Sequence, residues 1–154
     1  MFNHAPSGYH CPICLGIAGI ENEHTLLKQS DLVFKDELVS VFINSFWIKN
    51  NPGHVIVVPN KHFENIYEVP TEYGYRIFEV AKKMAIAMRI AYTCEGITTL
   101  QNNEPEGGQH AFHFHLHIFP RYKNDELHIH MGNKELALVE RRKEFVTKIK
   151  SQLD

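Results

Sequence analysis

The sequence predicts an α+β layer fold, an antiparallel sheet covered by helices. Two observations predict it. Short runs rich in β-branched and aromatic residues come early, joined by hairpin-like connections, and one long stretch with helical periodicity interrupts them. The resulting order of strands, helix, strands, helix favours an antiparallel sheet over a parallel doubly wound one. No internal repeat, low-complexity tract or linker divides residues 1–154, so they read as one domain.

Taken in order, residues 1–10 are a loose lead-in to Cys11-Pro12-Ile13-Cys14, followed by a helical turn over Leu15–Ile20 and a polar stop at Glu21–His24. Leu32–Lys35 and Leu38–Ile43 read as a hairpin about Asp36-Glu37. Asn44–Gly53 reads as a loop, ending in Asn50-Asn51-Pro52-Gly53. His54–Pro59 is nearly all apolar, which suits a short strand buried on both faces. A short helix is expected over Phe63–Glu68. Thr71 then suits the N-cap of a long helix, with Glu72 at the favourable end of its dipole. Tyr73, Ile77, Val80, Met84, Met88 and Tyr92 recur at three- and four-residue spacing, and Gly96 is a natural stop. Ile97–Gln101 is a strand, Asn102–Gly108 a polar loop, Phe112–Phe119 a strand, and Lys134–Gln152 a charged helix after an irregular stretch.

Composition narrows the function classes. With 44% hydrophobic and 22% charged residues, the chain matches ordinary soluble globular proteins. A net charge of -2 with a pI near 6.6 leaves no basic footprint for nucleic acid, although one pocket can still be positive. No apolar run reaches the roughly 18 residues of a membrane span, and no signal-like apolar region opens the chain. Three cysteines, two of them as Cys11-x-x-Cys14, do not make a disulfide framework. A cytoplasmic protein is expected, with Cys94 as a packed free thiol.

Histidine is the outlier: the chain has 11. His110, His113, His115 and His117 fall within eight residues. On a strand, His113, His115 and His117 share one face about 6.6 Å apart, and Phe112, Phe114, Leu116 and Ile118 line the other. Such imidazoles can be metal ligands, acid/base groups, or a nucleophile with helpers. A neutral imidazole attacks phosphorus, and the phosphoramidate formed is energetic enough to pass its group to water. That chemistry needs an oriented neutral ring with donors around the phosphate oxygens. Cys11-x-x-Cys14 fits a redox pair or half of a zinc site; the redox reading wants a helix start beside a βαβ unit, which the pattern lacks. Two thiolates with two imidazoles make a tetrahedral structural zinc set, but spacing does not choose the two histidines.

His113-Phe114-His115-Leu116-His117-Ile118-Phe119 resembles the signature of the histidine triad (HIT) family. Gly107-Gly108-Gln109, Pro120-Arg121 and the run Pro52-Gly53-His54 to Pro59-Asn60-Lys61-His62 resemble it as well. The likeness extends from about Cys11 to Tyr122, so 11–122 is the expected core of the domain and 123–154 an extension with a helix. It implies an antiparallel sheet of about five strands under a long helix, usually in a homodimer. It also implies a hydrolase that cleaves a dinucleoside polyphosphate or nucleoside phosphoramidate at the α-phosphate through a nucleotidyl-histidine. A nucleotidyl transferase and a nucleotide-binding regulatory module are the alternatives. By the same resemblance His115 is the nucleophile, His117 and Gln109 serve the phosphate and leaving group, and Asn102 or Asn103 contacts phosphate or ribose. Asn44 holds the ribose, His54 edges the pocket, and Ile13, Ile17, Phe34 and Phe42 sandwich the base. The branch of the family with an N-terminal Cys-x-x-Cys holds zinc at the positions of Cys11, Cys14, His62 and His113. Glu104 and Glu106 near the phosphate loop, His110, and a longer loop from Asn44 to His54 depart from the common pattern. His128 and His130 lie outside it and are expected on the surface unless they cross a dimer interface.

Overall fold

A computed structural model describes residues 2–153. Its seven strands are β1 (Leu32–Lys35), β2 (Val39–Ile43), β3 (Phe46–Ile48), β4 (Val55–Pro59), β5 (Gly96–Gln101), β6 (Leu116–Arg121) and β7 (Lys134–Leu136). The helices are α1 (Pro12–Ile17), α2 (Thr71–Tyr92), α3 (Leu127–His130) and α4 (Val139–Lys150). Five strands form an antiparallel sheet in the order β1-β2-β4-β6-β5, and β3 pairs with β7 in a separate ribbon. The α+β expectation holds.

Alternation sorts the sheet residues between two faces. Val41, Ile43, Val55, Val57, Leu116 and Ile118 join Ile77, Val80, Met84 and Met88 of α2 and Phe145, Val146 and Ile149 of α4 in the main core. Phe42, Ile56 and Val58 point the other way, against Ile13 and Leu27 of the N-terminal segment. That puts His117 and Phe119 of β6 on the face away from α2. Every residue of β4 is buried, as its apolar run predicts.

Several boundaries differ from the sequence reading. α1 begins inside the Cys-x-x-Cys motif, with Cys11 as its N-cap, because Cys11 Sγ accepts from the Cys14 amide at 3.4 Å. The motif therefore opens a helix after all, yet no βαβ unit accompanies it. Thr71 is the first residue of α2 rather than its cap, and Pro70 stands at the N-cap with no side-chain bond. The helix stops at Thr93, in the left-handed region at φ 51, three residues before Gly96, which opens β5. The expected Phe63–Glu68 helix shrinks to a 3-10 turn at Ile66–Glu68, capped by the Asn65 side chain.

The largest difference lies in the C-terminal region. Lys134–Leu136 pair with Ile48–Phe46, so the Asn44–Gly53 loop contains a strand, and the last helix begins only at Val139. Neither strand shows in the sequence, because three residues carry too little periodicity and the partner lies about 90 residues away. α4 then docks through a close fit: at Gly53, φ 80, an added Cβ would sit 2.1 Å from Phe145 Cδ1. Only glycine both adopts that conformation and admits the ring. Arg142 of α4 forms a buried ion pair with Asp31 at 2.7 Å and also donates to Ser45 Oγ at 2.7 Å.

Candidate active site and metal-ligand cluster

The histidine segment is only half a strand. β6 begins at Leu116, and its ladder to β4 ends at the pair Val57↔Leu116. Beyond that point Pro59 has no N–H to offer, and the Phe114 amide donates instead to Phe63 O at 2.6 Å. His113, in a bend, and His115, in irregular chain, therefore precede the strand, a correction to the expected Phe112–Phe119 strand. The alternation nonetheless persists: Phe114, Leu116 and Ile118 enter the main core. Phe112 breaks from it and packs edge-on against Tyr9 at 5.6 Å.

His113 is fully buried and faces the N-terminal segment. Its Nδ1 lies 3.5 Å from Cys11 Sγ and 3.4 Å from Cys14 Sγ, and Cys14 Sγ lies 3.3 Å from His62 Nδ1. The ligand atoms of Cys11, Cys14, His62 and His113 all lie within 4.8 Å of one another. Zinc–sulfur bonds of about 2.3 Å and zinc–nitrogen bonds of about 2.0–2.1 Å give tetrahedral edges of roughly 3.3–3.8 Å, so the set has the right size. His113 Nε2–H donates to Pro59 O at 3.0 Å, which leaves Nδ1 as the free ligand nitrogen. Hydrogen bonding from Cys14 and His113 holds the Cys11 thiol below its usual range. Its hydrogen bond to Cys11 and its burial push the Cys14 thiol up. A second thiolate here calls for a cation.

His115 lines a cavity and is not part of the cysteine cluster. Its Nδ1–H donates to the His113 carbonyl at 2.7 Å, so the lone pair belongs to Nε2. The cavity is about 480 Å³, within the range of small-molecule sites. His117 and His54 line it too. The His115 and His117 rings meet edge-on at 4.8 Å, and His54 stacks on Phe119 at 4.3 Å. Burial depresses all three: His54 falls to about 3, with the Lys134 charge acting in the same direction, His117 falls well below the ordinary value, and His115 falls despite its carbonyl bond. These rings are neutral at pH 7. Nδ1 of His54 and of His117 is buried with no hydrogen-bond partner among the described residues.

A family model described as a HIT domain matches residues 26–124. The chain belongs to that family. The "Protein hit" of Bacillus subtilis is 39% identical over 90 residues, 58% of this chain and 61% of its own length, so the match spans less than two thirds of that relative. A solved HIT-like protein from Bartonella henselae, described as involved in cell-cycle regulation and holding an unknown ligand, superposes at TM-score 0.70 with 30% identity, over 79% of this chain and 86% of that one. At 22% identity, a zinc-bound histidine triad protein from Mycobacterium smegmatis shares the fold, TM-score 0.73 over 93% and 92% of the two chains. Diadenosine triphosphate hydrolase from Plasmodium falciparum does so at 20% identity, TM-score 0.70 over 98% and 87%.

Of the expected HIT site residues, His115, His117, His54, Asn44 and Asn102 line the cavity. Two do not. Gln109 is buried beside it, its Nε2 donating to Glu64 O at 2.6 Å and Ala111 O at 3.1 Å, and its Oε1 accepting from the Glu104 amide at 2.8 Å. Both of its amide protons are used in holding the loop. Asn103 is likewise spent on the Ile66 amide and on Gln101. Of the four expected base contacts only Ile13 lines the cavity; Phe42 is fully buried behind it and Phe34 packs against the main core. Leu26, Phe46, Ile48, Leu100 and Met131 supply the apolar wall instead. Glu104 points away, its carboxylate held by His4 and Tyr67 at 3.0 Å each, whereas His110 does line the cavity. Lys134, missed in the sequence, lines it from β7. Cys94 is the packed thiol expected.

Proposed function

We propose that this HIT protein is a nucleotide hydrolase that releases a nucleoside monophosphate from a dinucleoside polyphosphate or a nucleoside phosphoramidate. The observation that carries this is His115, a buried neutral ring whose Nδ1–H is fixed on the His113 carbonyl while the ring faces the cavity. Nε2 attacks the α-phosphorus, the N–P bond forms, and the bond to the leaving group breaks with its electron pair on the departing atom. Water then cleaves the N–P bond and regenerates the imidazole. His117 donates to the α-phosphate or leaving group, and Asn44 and Asn102 are the polar contacts available to ribose and phosphate. Gln109 acts as a positioning residue through the loop it fastens. Ile13 and Leu27, which line the cavity from the N-terminal cluster rather than from the β3–β7 ribbon, take the base.

Zinc is the metal that suits Cys11, Cys14, His62 and His113, in a structural role with four protein ligands. It ties the N-terminal segment to the residue two positions before the nucleophile. A homodimer fits two exposed features: the unpaired edge of β5, and the stripe of Tyr75, Phe78, Ile86 and Ile90 on α2. Phe78 and Ile90 are 66% and 58% exposed. Sedimentation at micromolar concentration is expected to give twice the chain mass, with Phe78→Glu moving the protein to monomer. A monomeric wild type refutes the dimer.

The decisive test of activity is AMP release. Incubation with diadenosine tetraphosphate or AMP phosphoramidate is expected to yield AMP, and added inorganic phosphate is expected not to divert the product to ADP. ADP formation identifies a transferase. Binding without turnover identifies a regulatory module.

A further inference from the structure

The β3–β7 ribbon has two faces with different work. On the antiparallel pairing Ile48↔Lys134 and Phe46↔Leu136, directly paired residues share a face. Phe46, Ile48 and Lys134 all line the cavity. Trp47, one residue out of phase, turns to the other side and meets Phe145 of α4 edge-on at 4.9 Å. The ribbon thus anchors to the core by one face and walls the cavity with the other, which delivers the side chain of Lys134 to the histidines. Among the described residues that line the cavity, Lys134 is the only lysine or arginine, and no carboxylate lines it. The chain carries a net charge of -2, so this positive site is local. Lys134 also lies beyond residues 26–124 that the family model matches.

We propose that Lys134 binds the phosphate chain on the leaving-group side of the scissile bond and so selects nucleoside polyphosphates over phosphoramidates with an uncharged amine. This rests on the hydrolase reading of the cavity. The neutral His54 and His117 rings beside the nucleophile supply hydrogen bonds but no net charge. When the N–P bond forms and the P–O bridge breaks, the electron pair stays on the bridging oxygen of the departing polyphosphate. That oxygen gains charge, and the Lys134 ammonium is the cation placed to meet it. An amine leaving group departs with a proton and gains nothing from a cation beside it. The C-terminal extension would then confer substrate selection on a catalytic core that lies before it.

The test compares kcat/KM for diadenosine tetraphosphate and for AMP phosphoramidate in the wild type, Lys134→Met and Lys134→Arg. Losing a charge-assisted contact is expected to lower the polyphosphate-to-phosphoramidate ratio by about 10- to 100-fold in Lys134→Met. Lys134→Arg is expected to recover most of it. An unchanged ratio overturns the inference, as does an equal loss on both substrates. Lys134 is solvent-exposed, so neither variant disturbs the core. Calorimetric titration with ATP and with AMP separates this inference from the reading beneath it. Loss of the ATP-over-AMP preference in Lys134→Met supports the polyphosphate contact even if neither substrate is turned over, and equal preference in both proteins refutes it.

Discussion

His115→Ala is expected to abolish AMP release, with kcat/KM falling by on the order of 10^4- to 10^6-fold, the range seen when a nucleophile is removed. The reason is specific to this ring. Its Nδ1–H is committed to the His113 carbonyl at 2.7 Å, so Nε2 carries the lone pair without waiting for a proton to leave. Burial, the largest influence on the ring, lowers its pKa below the ordinary 6.5. The neutral nucleophile therefore persists below pH 6.5, and the acid limb of kcat/KM is expected on that side rather than at the free-imidazole value. Rapid acid quench of wild type is not the way to see the intermediate, because an N–P bond is acid-labile; alkaline quench with radiolabelled nucleotide is expected to trap it. His115→Asn keeps a polar side chain of smaller size, and it too is expected to show no adduct. Turnover by His115→Ala close to wild type would sink the mechanism. His117→Ala is the contrasting case, since it leaves the nucleophile in place and removes only a donor.

The sheet and the histidine face were legible because their signals are local. β-Branched runs, a period of 3.6 in α2 and a period of 2 at Phe114–Ile118 each come from neighbours in sequence. What was not legible came from contacts between distant segments. The alternation gave the facing of His113 and His115 but not that β6 stops short of them, which depends on Pro59 and on the amide of Phe114 turning to Phe63. Gln109 has the residue type of a phosphate contact, but both of its amide protons are given to backbone carbonyls, which leaves none to donate to a phosphate. Glu104 departs from the common HIT pattern near the phosphate loop, and its carboxylate is taken up by His4 and Tyr67, both distant in sequence. Lys134 sat in a stretch whose charge suggested a helix. Its strand exists only because Phe46–Ile48 offers an edge. A pairing of that kind leaves no periodic trace at either end.

Loss of the metal cluster is expected to end activity while sparing most of the fold. Metal analysis of untreated protein is expected to find about one zinc per chain. Cys14→Ser, or prolonged chelation, is expected to remove it and to lower AMP release by more than the roughly 10- to 100-fold that changes around metal ligands produce. In zinc-finger peptides structural zinc is worth about 10–16 kcal/mol and decides whether the chain folds. Here the geometry argues for a smaller, local loss. The cysteines and His62 lie outside the main core of sheet, α2 and α4, and Cys11 belongs to the satellite cluster with Ile13 and Leu27. Far-UV circular dichroism is therefore expected to change little, while the N-terminal segment becomes sensitive to protease. Activity is coupled to the site through one peptide segment: the carbonyl that orients His115 belongs to His113 itself. A metal ligand and the acceptor that fixes the nucleophile's tautomer are the same residue, so freeing the His113 ring loosens the bond that keeps Nε2 unprotonated. A chelated, zinc-free sample with full activity would break that link and leave His113 as a buried ring held by Pro59 alone.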